Sequence, residues 1–180
     1  MDKGSPLFRL PVNLYFVAYA LRYERPDTVS FLDTTTGGVL TLHVDPNSER
    51  LAEGLDDGIC HSFNDHPERF VTLELRNDGR KEKFIVDFAD GVHNSDLKGR
   101  LRGSAKWENG FSLVEEILSQ YTGLYERWKE SLSRFLLAEA LELVRENFIE
   151  PQIIPGAEEL RQLRIDEGEG SCDYDESIIH

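Results

Sequence analysis

Apolar residues recur at three- and four-residue intervals near the end of the chain: Leu124, Trp128, Leu132, Phe135, Leu136, Leu143, Val144 and Phe148 form one stripe. That period marks an amphipathic helix with one face turned to a core. It predicts the longest element of the protein, over 124–147. Near the start, Leu14, Val17, Ala18 and Leu21 keep the same spacing, and Tyr15, Phe16 and Tyr19 widen the apolar face. A helix over 12–23 is the favoured reading, with a strand as the alternative for so aromatic a segment. Pro11 suits a first helical turn. Pro26 ends the segment, because the residue before a proline avoids the α region.

Between these ends the pattern changes period. The segments 28–32 and 39–44 are rich in β-branched and apolar residues, and Asp33-Thr34-Thr35-Thr36-Gly37-Gly38 lies between them. Asp supplies side-chain capping and Gly supplies positive φ, so an antiparallel hairpin is predicted. Asp45-Pro46 reads as a helix start, Leu51 and Leu55 share a face, and Gly58 suits a C-terminal cap. Residues 70–75 read as a strand ended by Asn77-Asp78-Gly79. Phe84, Ile85, Phe88 and Val92 are spaced for a helix, with a third hairpin arm as the alternative because Ile85-Val86 is β-branched. Asn94 or Ser95 caps a short helix through Leu97 and Leu101. Ser112 with Glu115 reads as a capping box for a helix over 113–121, broken by Gly123.

Pro151 and Pro155-Gly156 end this patterning. Residues 157–177 then carry eight acidic side chains against Arg161 and Arg164, a net of −6. Disorder is expected from Asp166 onward. The chain therefore divides into a single α+β domain over 1–151, with a small antiparallel sheet and about five helices, and an acidic C-terminal tail over 152–180. No internal repeat is visible.

Composition narrows the function classes. Ten Phe, six Tyr and two Trp in 180 residues are enough for a packed core without disulfides or metal. Net charge is −14, which repels phosphate backbones and argues against direct nucleic-acid binding. The same charge favours solubility and basic partners. Cys60 and Cys172 are far apart and fit a reducing compartment. Pro6 and Pro11 interrupt the first residues, which lack the apolar core of a signal peptide. The run 14–21 is too short to span a bilayer. A cytoplasmic protein is expected.

One order of weak motifs carries a resemblance. After the amphipathic start come Phe31-x-Asp33-x-x-x-Gly37-x-Val39, Arg69-Phe70-Val71-x-Leu73-Glu74, Val86-Asp87-Phe88-Ala89-x-x-Val92 and Leu97-x-x-x-Leu101. A helix-rich end follows, with Glu126-Arg127-Trp128 and Glu139-Ala140-Leu141-Glu142-Leu143 running to Ile149-Glu150-Pro151. Over residues 10–151 this resembles a family of small acidic bacterial proteins known as uncharacterised protein family 158. The resemblance implies an α+β domain and assigns no activity. Members usually place a glycine-containing loop rich in Phe and Arg before the long helix. Here the loop reads Gly103-Ser104-Ala105-Lys106-Trp107-Glu108-Asn109-Gly110-Phe111, with fewer basic residues.

Candidate chemistry is sparse. Cys60-His61 with His66 is the one Cys/His cluster, and a closed zinc site needs a fourth ligand from His43, Cys172 or a carboxylate. Cys60 packing as a small apolar residue, with the histidines on a loop before Pro67, is the simpler reading. The same cysteine beside His61, His66 or His93 would make a nucleophile pair, but no nucleophile elbow surrounds it. Asp56-Asp57, Glu115-Glu116 and Asp87 with Asp90 are expected by chance among 34 acidic residues. Gly37-Gly38 lacks the lysine of a phosphate loop. Lys98, Arg100, Arg102 and Lys106, followed by Trp107, form the one basic cluster with an aromatic. It is a candidate anion or nucleotide grip or, more simply, a solvated helix end whose cations suit the dipole.

Together these features predict a non-enzymatic interaction or regulatory protein with no cofactor and no metal. Its partner is expected to be another protein, with a basic one favoured by the charge, docked through Asp166, Glu167, Glu169, Asp173, Asp175 and Glu176 of the tail. An acidic inhibitor that mimics nucleic acid and an uncharacterised Cys/His enzyme are the alternatives.

Overall fold

The computed structural model describes residues 8–22, 28–43, 63, 65–76, 78–147 and 149–151. Five strands and five α-helices are assigned among them. In chain order they are β1 (Phe8–Leu10), α1 (Leu14–Arg22), β2 (Thr28–Asp33), β3 (Val39–His43), β4 (Phe70–Thr72), α2 (Arg80–Asp90), α3 (Ser95–Ser104), α4 (Gly110–Leu118), α5 (Thr122–Glu146) and β5 (Ile149–Pro151). The fold is α+β, as the patterning predicts. The Asp45 helix and the acidic tail lie outside the described residues.

The predicted hairpin forms. Strand β2 pairs antiparallel with β3 on one side and β4 on the other, so the order is β3-β2-β4. Its loop is set by Asp33 and Gly37. The Asp33 carboxylate accepts from the Thr35 N–H at 2.9 Å and the Thr36 hydroxyl at 2.7 Å. Gly37 sits at φ 77°, and a Cβ there would lie 3.0 Å from the Pro11 carbonyl oxygen. Arg69, at the end of a 3-10 turn over Pro67–Arg69, reaches back to the same carboxylate with two bonds of 2.6 Å.

Both faces of this sheet carry apolar groups. Leu32 and Leu73 on one face join the main core with the helices, and Val39, Val71 and Leu75 pack against it. Phe31, Leu42 and Phe70 on the other face form a second cluster, packed by Phe63. Phe63 stacks on Phe70 with centroids 4.7 Å apart and meets Phe31 edge-on at 4.9 Å. Offset and edge contacts of this kind suit the ring quadrupoles.

Helix α5 is the backbone of the main core. Its stripe buries Trp128, Leu132, Leu136, Ala140 and Val144. Trp128 is fully enclosed, with the Phe84 and Phe88 rings of α2 centred 5.2 and 5.0 Å away. The helical reading of 84–92 is therefore correct: Ile85 and Ala89 bury one face of α2. The Asn94 cap is present too, accepting from the Leu97 N–H at 2.9 Å.

Four details differ from the sequence reading. Helix α1 begins at Leu14, after Asn13, whose side chain accepts from the Tyr15 N–H at 3.0 Å. The strand at 70–75 is regular only over Phe70–Thr72. The Ser112 capping box does not form: α4 starts at Gly110, and Glu115 instead accepts from Arg22 at 2.9 Å, tying α4 to α1. Gly123 does not interrupt the chain but lies in the first turn of α5, where a Cβ would meet nothing within 4 Å. One feature carried no sequence signal: β1 pairs parallel with β5, joining the two ends of the described fold.

Candidate functional site

The turn between α3 and α4 is closed by hydrogen bonds on both sides of one residue. The Trp107 N–H donates to the Ser104 carbonyl at 3.1 Å, and its own carbonyl accepts from the Gly110 N–H at 3.0 Å. Lys81 of α2 reaches this turn, donating its ammonium to the Glu108 carbonyl. The same ammonium lies 5.1 Å from the centre of the Phe111 ring. The backbone of Trp107 is thus fixed, while its side chain is 64% exposed. Aromatic groups of that size are normally withdrawn from water, and an exposed one beside a concavity is characteristic of recognition surfaces.

Beside Trp107 lies a cleft of about 770 Å³. Its walls come from the start of β2 at Thr28–Ser30, from the segment 72–76, from Gly79, Lys81 and Glu82 at the start of α2, and from the 105–109 turn. Leu73 stays bonded to β2 after β4 ends, its N–H donating to the Ser30 carbonyl at 2.7 Å.

Charge around the cleft is uneven. Arg76 bonds Glu142 at 3.2 Å and also Glu146 of α5. Arg80 bonds Asp78 at 2.7 Å, Glu139 at 3.1 Å and Glu142. The hydrogen bond that Arg76 donates to Glu146 raises its pKa, and those that Arg80 donates to Glu142 and Glu139 raise that of Arg80. In return the Arg80 guanidinium lowers the Glu142 pKa. Both guanidiniums are thereby committed to α5. Glu74, Glu82 and the Glu108 carboxylate, all lining the cleft, form no ion pair among the described residues.

Scans against family models, curated proteins and solved structures gave no match.

The basic cluster of the sequence is divided by the fold. Lys98 and Arg102, one turn apart on α3, both turn to Asp90 at the end of α2: Lys98 donates to its carbonyl at 3.1 Å, and Arg102 bonds its carboxylate. Arg100 points to solvent. Lys106 and Trp107 alone line the cleft. The paired carboxylates are separated in the same way, with Asp87 bonded to Lys83 and Glu115 to Arg22. His66 is exposed and bonds Glu68 at 3.3 Å, and His93 is exposed. Cys60, His61, Cys172, Asp56-Asp57 and the six tail carboxylates lie outside the described residues. Among the described residues no group of three His, Cys, Asp or Glu is placed to hold a metal ion. No helix of the described residues is long and apolar enough to cross a membrane.

Sequence reasoning singled out Lys106 and Trp107 but missed Lys81 and Glu74. A lysine and a glutamate on solvated positions look like any other charge. Only their convergence on the 105–109 turn and the cleft sets them apart.

Proposed function

We propose that this chain is a non-enzymatic, cytoplasmic interaction protein, akin to the small acidic bacterial proteins it resembles, and that it docks a basic partner protein at the cleft beside Trp107. One observation carries the reading: a rigidly held backbone presents a Trp side chain that is 64% exposed at the edge of a cleft. Two features support the sign of the partner. The chain carries −14 overall, and the three carboxylates Glu74, Glu82 and Glu108 line the cleft with Lys106, while Arg76 is taken up by α5 and the Lys81 ammonium by the Glu108 carbonyl. Opposite charge across an interface speeds encounter and selects partners.

A second reading keeps the basic partner and moves the contact to the tail, where Asp166, Glu167, Glu169, Asp173, Asp175 and Glu176 would attract it over a longer range. Affinity copurification separates the two. The baits are the full chain, Trp107→Ala, and a chain ending at Pro155, each at low and high salt. Loss of a basic partner with Trp107→Ala supports the cleft. Loss with the truncation and retention with Trp107→Ala supports the tail. Recovery of the same proteins by all three baits at molar salt counts against both.

A further inference from the structure

At the edge of the sheet beside the cleft, some backbone groups have no partner among the described residues. Register pairs Phe31 of β2 with Thr72 of β4. One residue on, Leu73 donates its N–H to Ser30. In an antiparallel ladder, pairs that exchange hydrogen bonds alternate with pairs that do not. Leu73 therefore turns its backbone to β2, while Thr72 and Glu74 turn theirs away. Among the described residues no strand follows β4 in the order β3-β2-β4. The outward N–H of Phe70 is satisfied by the Pro67 carbonyl. Those of Thr72 and Glu74 meet no acceptor among the described residues. Both residues are exposed, and both line the cleft that Trp107 borders.

Two outward residues at i and i+2 form the smallest repeat that an added strand can read. We propose that a partner's extended, lysine- or arginine-bearing segment adds to this edge as a fourth strand, bonding the backbones of Thr72 and Glu74. This rests on the cleft reading above and specifies how the cleft is used. Side chains of the added strand alternate in direction. One set would meet Trp107, and the cationic set would meet Glu74, Glu82 and Glu108. The negative charge of that edge also discourages pairing with a second copy of the same chain.

The test uses two synthetic peptides and the full-length protein. One peptide alternates Val and Thr with Lys. The other has Glu in place of Lys. Glu74→Pro removes an N–H that meets no acceptor among the described residues. Glu74→Ala keeps that N–H and removes the charge. Trp107 fluorescence reads binding, and hydrogen exchange reads the amides. The Lys peptide is expected to bind and to slow exchange at the Thr72 and Glu74 amides of the unmodified protein. Glu74→Pro is expected to weaken it about tenfold relative to Glu74→Ala, because a ladder donor is lost and a ring intrudes on the edge. The Glu peptide is expected to bind more weakly. Should Glu74→Pro fail to fold, the exchange pattern of the unmodified protein decides. Absence of Lys-peptide binding, or binding without protection at those two amides, overturns the proposal. A basic partner captured equally by Glu74→Pro and Glu74→Ala also overturns strand addition, yet leaves the cleft reading standing. Peptide binding at the edge with no basic partner recovered would do the reverse.

Discussion

A Cβ placed on Gly110 would lie 2.8 Å from the carbonyl oxygen of Ser104 and 3.0 Å from Cδ1 of Ile85. That contact is tighter than carbon and oxygen tolerate, and both neighbours belong to packed helices. Glycine is therefore required for α4 to start against the end of α3, which in turn sets the Trp107 turn. Replacement by alanine at a helix start gains a little in propensity. The steric conflict outweighs it, and overpacking of this kind typically costs about 1–3 kcal/mol. Gly110→Ala should lower the urea midpoint and shift Trp107 emission. An unchanged midpoint would mean that α4 moves away without penalty.

Asp33 makes the fold sensitive to acid. Two hydrogen bonds from Arg69 hold its carboxyl well below the usual carboxylate range. Burial works against them, and the Thr35 N–H, the Thr36 hydroxyl and the Arg69 charge add to them. Because the folded pKa is depressed, the contribution to stability is present above the unfolded value of about 4 and is lost as pH falls below it. Asp33→Asn removes that titration while keeping the shape of the loop. Between pH 6 and pH 2.5 the stability of the Asn variant should fall less steeply than that of the natural chain. Equal slopes would show that other carboxylates carry the acid sensitivity.

Most of the elements were legible because their apolar spacing reflects a face that is buried. Helix α5 shows this best, since every fully buried side chain of its length lies on the predicted stripe or is Ala140 beside it. The β-branched pair Ile85-Val86 did not mislead, because Phe88 and Ala89 complete a helical face against Trp128. Ser112 did mislead. A capping box is a local signal, and the turn at 105–109 together with the Arg22–Glu115 pair places the helix start three residues earlier. The β1–β5 pair was invisible for another reason: three-residue strands have no period to read, and their partners are brought together only by the fold. Of the cleft, Lys106 and Trp107 were legible as an unusual neighbourhood. The unused amides of Thr72 and Glu74 were not, because nothing in a residue's identity says which way its backbone turns.

Trp128 offers a test of how the core tolerates an unpaired donor. Its indole Nε1 is buried with no hydrogen-bond partner among the described residues. An unmet donor away from water costs free energy that packing must offset. Trp128→Phe removes the donor along with part of the ring, so the two effects oppose. The expected loss is about 1–2 kcal/mol, against the 3–5 kcal/mol typical when a large aromatic is cut to alanine. Chemical denaturation of the Phe and Ala variants measures the ratio. Similar losses for both would show that volume alone matters and that the orphan N–H carries no appreciable penalty.

Trp107 should separate recognition from stability. Its ring is mostly in water, and its backbone bonds to Ser104 and Gly110 do not depend on the side chain. Trp107→Ala is therefore expected to change stability by no more than about 0.5 kcal/mol, as at surface positions generally. Lys81→Met serves as the companion variant. It keeps a long side chain under the turn but loses the bond to the Glu108 carbonyl that steadies it. If the cleft is a docking surface, Trp107→Ala should abolish capture of a basic partner while the protein unfolds at the same urea concentration as before. Lys81→Met should weaken capture by a smaller factor, because the ring is still present but held less firmly. A Trp107→Ala variant that is markedly less stable would instead make the ring a structural cover for the cleft, and the docking reading would fail with it.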